Sequence, residues 1–373
     1  MSPADGSVQR VIVGETYTIH TEGSAYLAGL RAVDRSPNTE RVYAGRVALY
    51  LTYCMSAGID WCRPTFLALA RFAQWLIAEP LPPREPRSIT VRFRTKKSAN
   101  AVLTTVFEFL RFGTTHGWVP ADVVDRLSDQ KYLSFLPPGY DAGEDAQYRT
   151  VNGRTIKFVV ADDSVEWLAD AQVERLLELT PRARDRFLVA LLRCTGIRIG
   201  EGLGLRREDM HFLARSEIFG CQVTGPHVHV RRRLNPNGAL AKSVYSRWIP
   251  VTEQVVGLYA DYQYERGQVA AAEMTDMVFV NLFRAPLGRP MTYHNAKDLF
   301  DRLARRAGFA ARPHMLRHSA ATSWIRSGVP EDVAQHLMGH ASRSSMQPYL
   351  HPTERDMREA VESTARRTRE ARR

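Results

Sequence analysis

Apolar positions beyond Ser36 recur at helical spacing. Tyr43, Val47, Tyr50, Leu51 and Cys54 fall three or four residues apart, the stripe of an amphipathic helix. Ser36 suits the N-cap and Pro37 the first helical position. A second stripe, Phe66, Leu69, Phe72, Ala73 and Leu76, spans about 64–77 and ends at the proline-rich PLPPREP. A third, Val102, Val106, Phe109 and Leu110, lies within about 98–112, and a short helix follows Pro120. These patterns predict a small all-helical domain over 31–136. Residues 1–30 hold only short β-prone pieces, Val11 to Val13 and Tyr17 to His20, and read as an N-terminal extension.

Residues 137–165 are rich in Gly, Pro and Asp without helical period, and read as a linker. Helical stripes resume with Val173, Leu176 and Leu177, then Phe187, Leu188, Leu191 and Leu192, stopped at Thr195-Gly196, where glycine can take the left-handed cap. Residues 218–251 switch to strands: VHVRRRL and YSRWIPV alternate around the turn signal NPNG. Two helices follow over 295–307 and 314–327, and Pro330 opens another that ends at Gly339. The fold class is therefore mainly α with a small antiparallel sheet (α+β). The second domain spans 166–352, and 353–373 form a tail.

The chain has 373 residues, 44% hydrophobic and 24% charged, which excludes wholesale disorder. No apolar run approaches the roughly 20 residues that cross a bilayer, and the N-terminus lacks the apolar core of a signal peptide. A soluble, cytoplasmic protein with no membrane association is expected. Net charge is +11, carried by 45 arginines and 6 lysines, a balance that points to a polyanion such as nucleic acid. Between residues 84 and 97, Arg84, Arg87, Arg92, Arg94, Lys96 and Lys97 face a single Glu85. The stretch reads either as a solvated loop or as an edge that grips DNA phosphates. Cys54, Cys62, Cys194 and Cys221 form no CxxC pair and read as free thiols.

Four local sequences carry chemistry: TGIRIGE with Arg198 and Glu201, the isolated Lys242, HMLRH with His314 and Arg317, and LMGH with His340 followed by Tyr349. On a helix, His314 and Arg317 share a face. The pairs His314/His318 and His336/His340 have zinc-like spacing, but no HExxH motif or nearby cysteine supports it, so neither a metal nor a cofactor is expected. TSWIRSGVPEDVAQHLMGH also has the look of a DNA-binding helix-turn-helix.

Taken in order, Arg198, Lys242, His314, Arg317, His340 and Tyr349 resemble the tyrosine recombinase (phage integrase) family, from about Trp167 to Tyr349. Tyr349 is the only tyrosine after the HMLRH box, and Lys242 the only lysine between Lys157 and Lys297. The resemblance implies a helical DNA-clamp domain and a mixed catalytic domain. It implies a site-specific recombinase of integrase or transposase type that cleaves and rejoins strands through a 3′-phosphotyrosine. Arg198 and Arg317 would stabilise the transition state, with His314 and His340 as further donors and Glu201 in support. His314 would also take the phenol proton, and Lys242 would protonate the leaving oxygen. The partners implied are double-stranded DNA bearing recombination sites, a homotetramer on that DNA and, in some systems, accessory DNA-binding proteins, in the nucleoid. The tail would dock on a neighbouring protomer. The competing readings are type IB topoisomerase-like relaxation and a non-catalytic helix-turn-helix regulator.

Overall fold

The computed structural model describes residues 9–83, 91–136, 147–160, 166–213, 215–241, 243, 245–340, 345–346, 349, 358 and 362. They fall into two compact units, one formed by described residues up to 160 and one from 166 onward.

The first unit contains α1 (Thr21–Ala32), α2 (Pro37–Ser56), α3 (Phe66–Ala78), α4 (Lys96–Thr115) and the short α5 (Ala121–Asp125), then the strands β1 (Ser128–Tyr132) and β2 (Thr150–Arg154). Side-chain caps set three of the starts. Ser36, Thr65 and Thr95 accept the backbone N–H of Thr39, Ala68 and Ser98 at 3.1–3.2 Å. α4 is the central helix: Val102, Leu103, Val106, Phe107, Phe109 and Leu110 are buried against Tyr50, Phe72 and Leu76.

Two segments outside the four expected helices also join this unit. Within the N-terminal segment, α1 seats Tyr26 and Leu27 in this core. Its sequence, TEGSAYLAGLRA, buries only Gly23, Tyr26 and Leu27, too few for a legible stripe. Within the stretch 137–165, residues 147–160 are described and pack on this unit. β2 pairs antiparallel with β1, from Ser128↔Arg154 to Tyr132↔Thr150. Beyond it, the Asn100 carboxamide exchanges two 2.9 Å hydrogen bonds with the backbone of Phe158. Both strands are mostly polar, so neither shows the alternation of a half-buried strand.

The second unit contains α6 (Asp170–Glu178), α7 (Ala183–Thr195), α8 (Ile199–Leu203), β3 (Met210–His211), β4 (His227–Val230), β5 (Arg247–Pro250), α9 (Glu253–Gly267), α10 (Tyr293–Ala307), α11 (Pro313–Arg326) and α12 (Glu331–Met338). α7 is its axis. Phe187 to Leu192 are buried, and the helix packs on α9 and α11. The strands form one antiparallel sheet in the order β3-β4-β5. Val228, Val230 and Ile249 face the core.

β3 and α9 escape the sequence pattern. α9 buries only Val255, Tyr262 and Arg266. The Arg266 guanidinium donates to the carbonyls of Ala272, Thr275, Met277 and Val278 at 2.6–2.9 Å, so a charged residue does structural work inside the fold. Among the described residues no helix is long and apolar enough to cross a membrane. Of the tail 353–373, only Arg358 and Glu362 are described.

Candidate active site

The turn after α7 begins the site. Gly196 closes the helix at φ 60°, in the left-handed region. A Cβ there would meet Trp324, Met338 and Ala320 at 3.0–3.3 Å, so glycine also allows close packing against α11 and α12. Arg198, two residues on, is the N-cap of α8 and keeps its side chain about a quarter exposed.

Beneath it lies Glu201, almost fully buried. Its Oε2 accepts the Arg198 backbone N–H at 2.9 Å and Arg247 Nη2 at 2.8 Å, and its Oε1 accepts Arg198 Nη1 at 3.2 Å. Burial pushes the Glu201 carboxyl up, but the bonds and charges of Arg247 and Arg198 outweigh it and hold the group below its ordinary value. Arg247 comes from β5 and also donates to Leu337 O at 3.0 Å.

Arg317, on α11, is 1% exposed. Its Nη1 donates to Gly196 O at 2.6 Å, and its Nη2 to Met338 O at 2.7 Å and to His340 Nε2 at 2.8 Å. Burial, then the neighbouring Arg198 charge, lowers its pKa to about 10, so it stays a cation at neutral pH. Burial, followed by the charges of Arg317, Arg198 and Arg247, drives His340 down to about 4. A neutral His340 that accepts at Nε2 carries its proton on Nδ1. That atom is buried and has no hydrogen-bond partner among the described residues.

Tyr349 is 8% exposed, in a small apolar cluster with Ala321, Ala334, Met338 and Met346. Its ring lies 6.4 Å from that of His340 and 5.3 Å from that of His318. Burial raises the phenol pKa, while the charges of Arg317 and Arg198 and a hydrogen bond with Arg317 oppose the rise. His318 is driven to about 4 by burial first, then by His314, Arg317 and His340.

Arg198, Glu201, Arg317, His340 and Tyr349 are thus brought together. His314 is exposed at the start of α11, its ring 4.1 Å from that of His318 and one ring removed from Tyr349. Lys242 lies outside the described residues, between the buried Ala241 and Ser243. The helix-turn-helix-like stretch, 322–340, forms the end of α11 and all of α12, and its Met338 carbonyl accepts Arg317 from the preceding part of α11. Sequence reasoning missed Arg247, and weighed His318 only as a metal ligand. An arginine at an inward position of the alternating YSRWIPV strand needs a buried carboxylate, and that was the available signal.

In the helical unit, Arg84 and Arg87 lie outside the described residues. Arg92 pairs by backbone with Leu81 and donates to Pro82 O at 3.2 Å, and Arg94 sits 6.0 Å over the Trp75 ring. Lys96 and Lys97 are exposed in the first turn of α4.

The chain belongs to the phage integrase family, whose family profile matches residues 166–356. It is accordingly a site-specific tyrosine recombinase. It is 26% identical to transposase A from transposon Tn554 of Staphylococcus aureus, over 93% of this chain and 92% of that protein. It is 29% identical to tyrosine recombinase XerA of Pyrococcus furiosus, over 52% of this chain and 60% of that one. The fold is similar to the Tn1549 transposon integrase in complex with transposon right end DNA (TM-score 0.59, 17% identity, 92% of this chain and 99% of that one). It is also similar to a lambda integrase dimer bound to a core site (TM-score 0.57, 14% identity, 89% and 95%).

Proposed function

We propose that this recombinase cleaves duplex DNA with Tyr349 as nucleophile. The observation that carries the reading is the convergence of Arg198, Arg317 and His340 on Tyr349 over one buried Glu201–Arg247 pair. The Tyr349 oxygen attacks the phosphorus and the bond to the 5′ oxygen breaks. The strand is left as a 3′-phosphotyrosine, with no water consumed. Negative charge gathers on the non-bridging oxygens, where two preorganised guanidiniums act together, with His340 as a further donor. The phenol proton passes to His314, and Lys242 protonates the leaving 5′ oxygen. The 5′ hydroxyl of a second strand then reverses the chemistry on the phosphotyrosine, completing exchange.

Two further parts of the reading concern DNA and assembly. Lys96 and Lys97, at the positive end of α4, hold phosphates together with Arg84, Arg87, Arg92 and Arg94, and set position without reading sequence. Four protomers assemble on two recombination sites, with the tail of each docked on its neighbour. Accessory DNA-binding proteins assist where the sites require them, and the enzyme works at the nucleoid.

Cleavage of a nicked suicide substrate by Arg198→Ala and Arg317→Ala tests this reading. Each loss should cost about 3–4 kcal/mol of transition-state stabilisation, the scale of removing one charge-stabilising donor. Site binding should change far less. Cleavage within about tenfold of wild type, a loss of only ~1.4 kcal/mol, would remove the arginines from the mechanism.

A further inference from the structure

Away from Tyr349, the sheet gathers three histidines and a cysteine. His211 and His227 face one another across β3 and β4, and His229 lies two residues along β4 on the same face. Val228 and Val230, on the opposite face, belong to the hydrophobic core. Cys221, from the excursion between β3 and β4, brings its Sγ to His227 and His229. One ligand atom from each of the four residues lies within 4.8 Å of all the others.

Three of the four residues are spaced close to the ligands of a small metal centre, and His211 lies within 4.8 Å of them. Cys221 Sγ is 3.4 Å from Nε2 of both His227 and His229, and those two nitrogens are 3.0 Å apart. Four tetrahedral ligands around zinc, with bonds of about 2.0–2.1 Å to nitrogen and 2.3 Å to sulfur, lie roughly 3.3–3.6 Å from one another. The outer contacts are also those of ligating histidines. His227 Nδ1 is 2.8 Å from Gly225 O and His211 Nε2 is 3.2 Å from Glu208 O. Each carbonyl takes the proton of one ring nitrogen and leaves the other nitrogen for a metal.

We propose that His211, Cys221, His227 and His229 bind one Zn2+ as a closed structural site. Three nitrogens and one thiolate suit a borderline-soft ion, and four protein ligands leave no open position for catalysis. The ion ties the excursion over 212–226 onto β3 and β4. β4 in turn pairs with β5, where Val230 faces Arg247, the partner of Glu201. The site therefore fastens the far end of the strand pair that carries the active-site ion pair.

The test uses the full chain, kept reduced, stripped with a chelator and reloaded with Zn2+ or Co2+. Elemental analysis should give one zinc per chain. The cobalt form should show tetrahedral ligand-field bands and a thiolate-to-cobalt charge-transfer band that is lost in Cys221→Ala. His229→Ala should weaken binding by more than the roughly 10–100-fold that loss of an outer-shell partner costs. Zinc should also raise the urea midpoint of wild type but not of either variant. The wild-type readouts stand even if a variant folds poorly. Wild type that retains no stoichiometric metal after reloading, or a cobalt form without the thiolate band, would show that the four side chains only hydrogen-bond to one another. Unchanged metal binding in Cys221→Ala would equally overturn the site.

Discussion

Arg247 and Glu201 form a buried ion pair, Nη2 to Oε2 at 2.8 Å, with side-chain exposures of 3% and 1%. It links β5 to α8, and the same carboxylate holds both the backbone and the guanidinium of Arg198. Such a pair is costly to bury and costlier to break. Its value here is positional, because it fixes one of the two cations nearest Tyr349.

Glu201→Ala leaves Arg247 buried without its counter-charge. The expected loss of stability is about 3–5 kcal/mol, read from urea unfolding. Cleavage should fall even at temperatures where the variant is fully folded, since Arg198 loses its anchor. A destabilisation below about 1 kcal/mol would mean that water or another acid compensates Arg247, and that the pair does not organise the site.

Gly339 presses on the same arginine. At φ 63°, a Cβ would lie 2.6 Å from Arg247 Nη1 and 2.7 Å from its Cζ. Gly339→Ala therefore strains the backbone by about 1–2 kcal/mol and pushes the guanidinium off Glu201. Lower thermal stability together with slower cleavage is expected. Destabilisation with unchanged cleavage per folded molecule would separate the turn from the site.

His318 and His340 titrate near 4 in the folded chain, below the ordinary histidine value near 6.5. The unfolded chain takes up their protons first as pH falls. Their contribution to stability is complete above about pH 6.5 and is lost as pH falls towards 4. Unfolding midpoints measured between pH 7 and 4.5 should decline, and His340→Asn should decline less steeply than wild type. Equal slopes would mean that His340 is not held neutral by burial and the Arg317 charge.

Much of this was legible in the chain. The Phe187 to Leu192 stripe ending at Gly196 gave α7 and its left-handed stop, because glycine and helical period act locally. The motif residues Arg198, Glu201, Arg317, His340 and Tyr349 sit in short, ordered stretches and were found. Contacts between distant strands and helices were not. Arg247 shows its role only when β5 meets α8. His318 shows its role only when α11 meets Tyr349. His211, Cys221, His227 and His229 converge only once β3 pairs with β4. α1 and α9 escaped for another reason: their buried faces rest on a few large or charged residues, Tyr26, Tyr262 and Arg266, rather than on an aliphatic stripe.

The most direct measurement is covalent capture on DNA carrying the recombination site. Wild-type protein should form an adduct that survives denaturing electrophoresis and is released by protease. Tyr349→Phe removes only the nucleophilic oxygen, so it should bind the same DNA and form no adduct. An adduct of normal yield from Tyr349→Phe would contradict the account and place the nucleophile elsewhere.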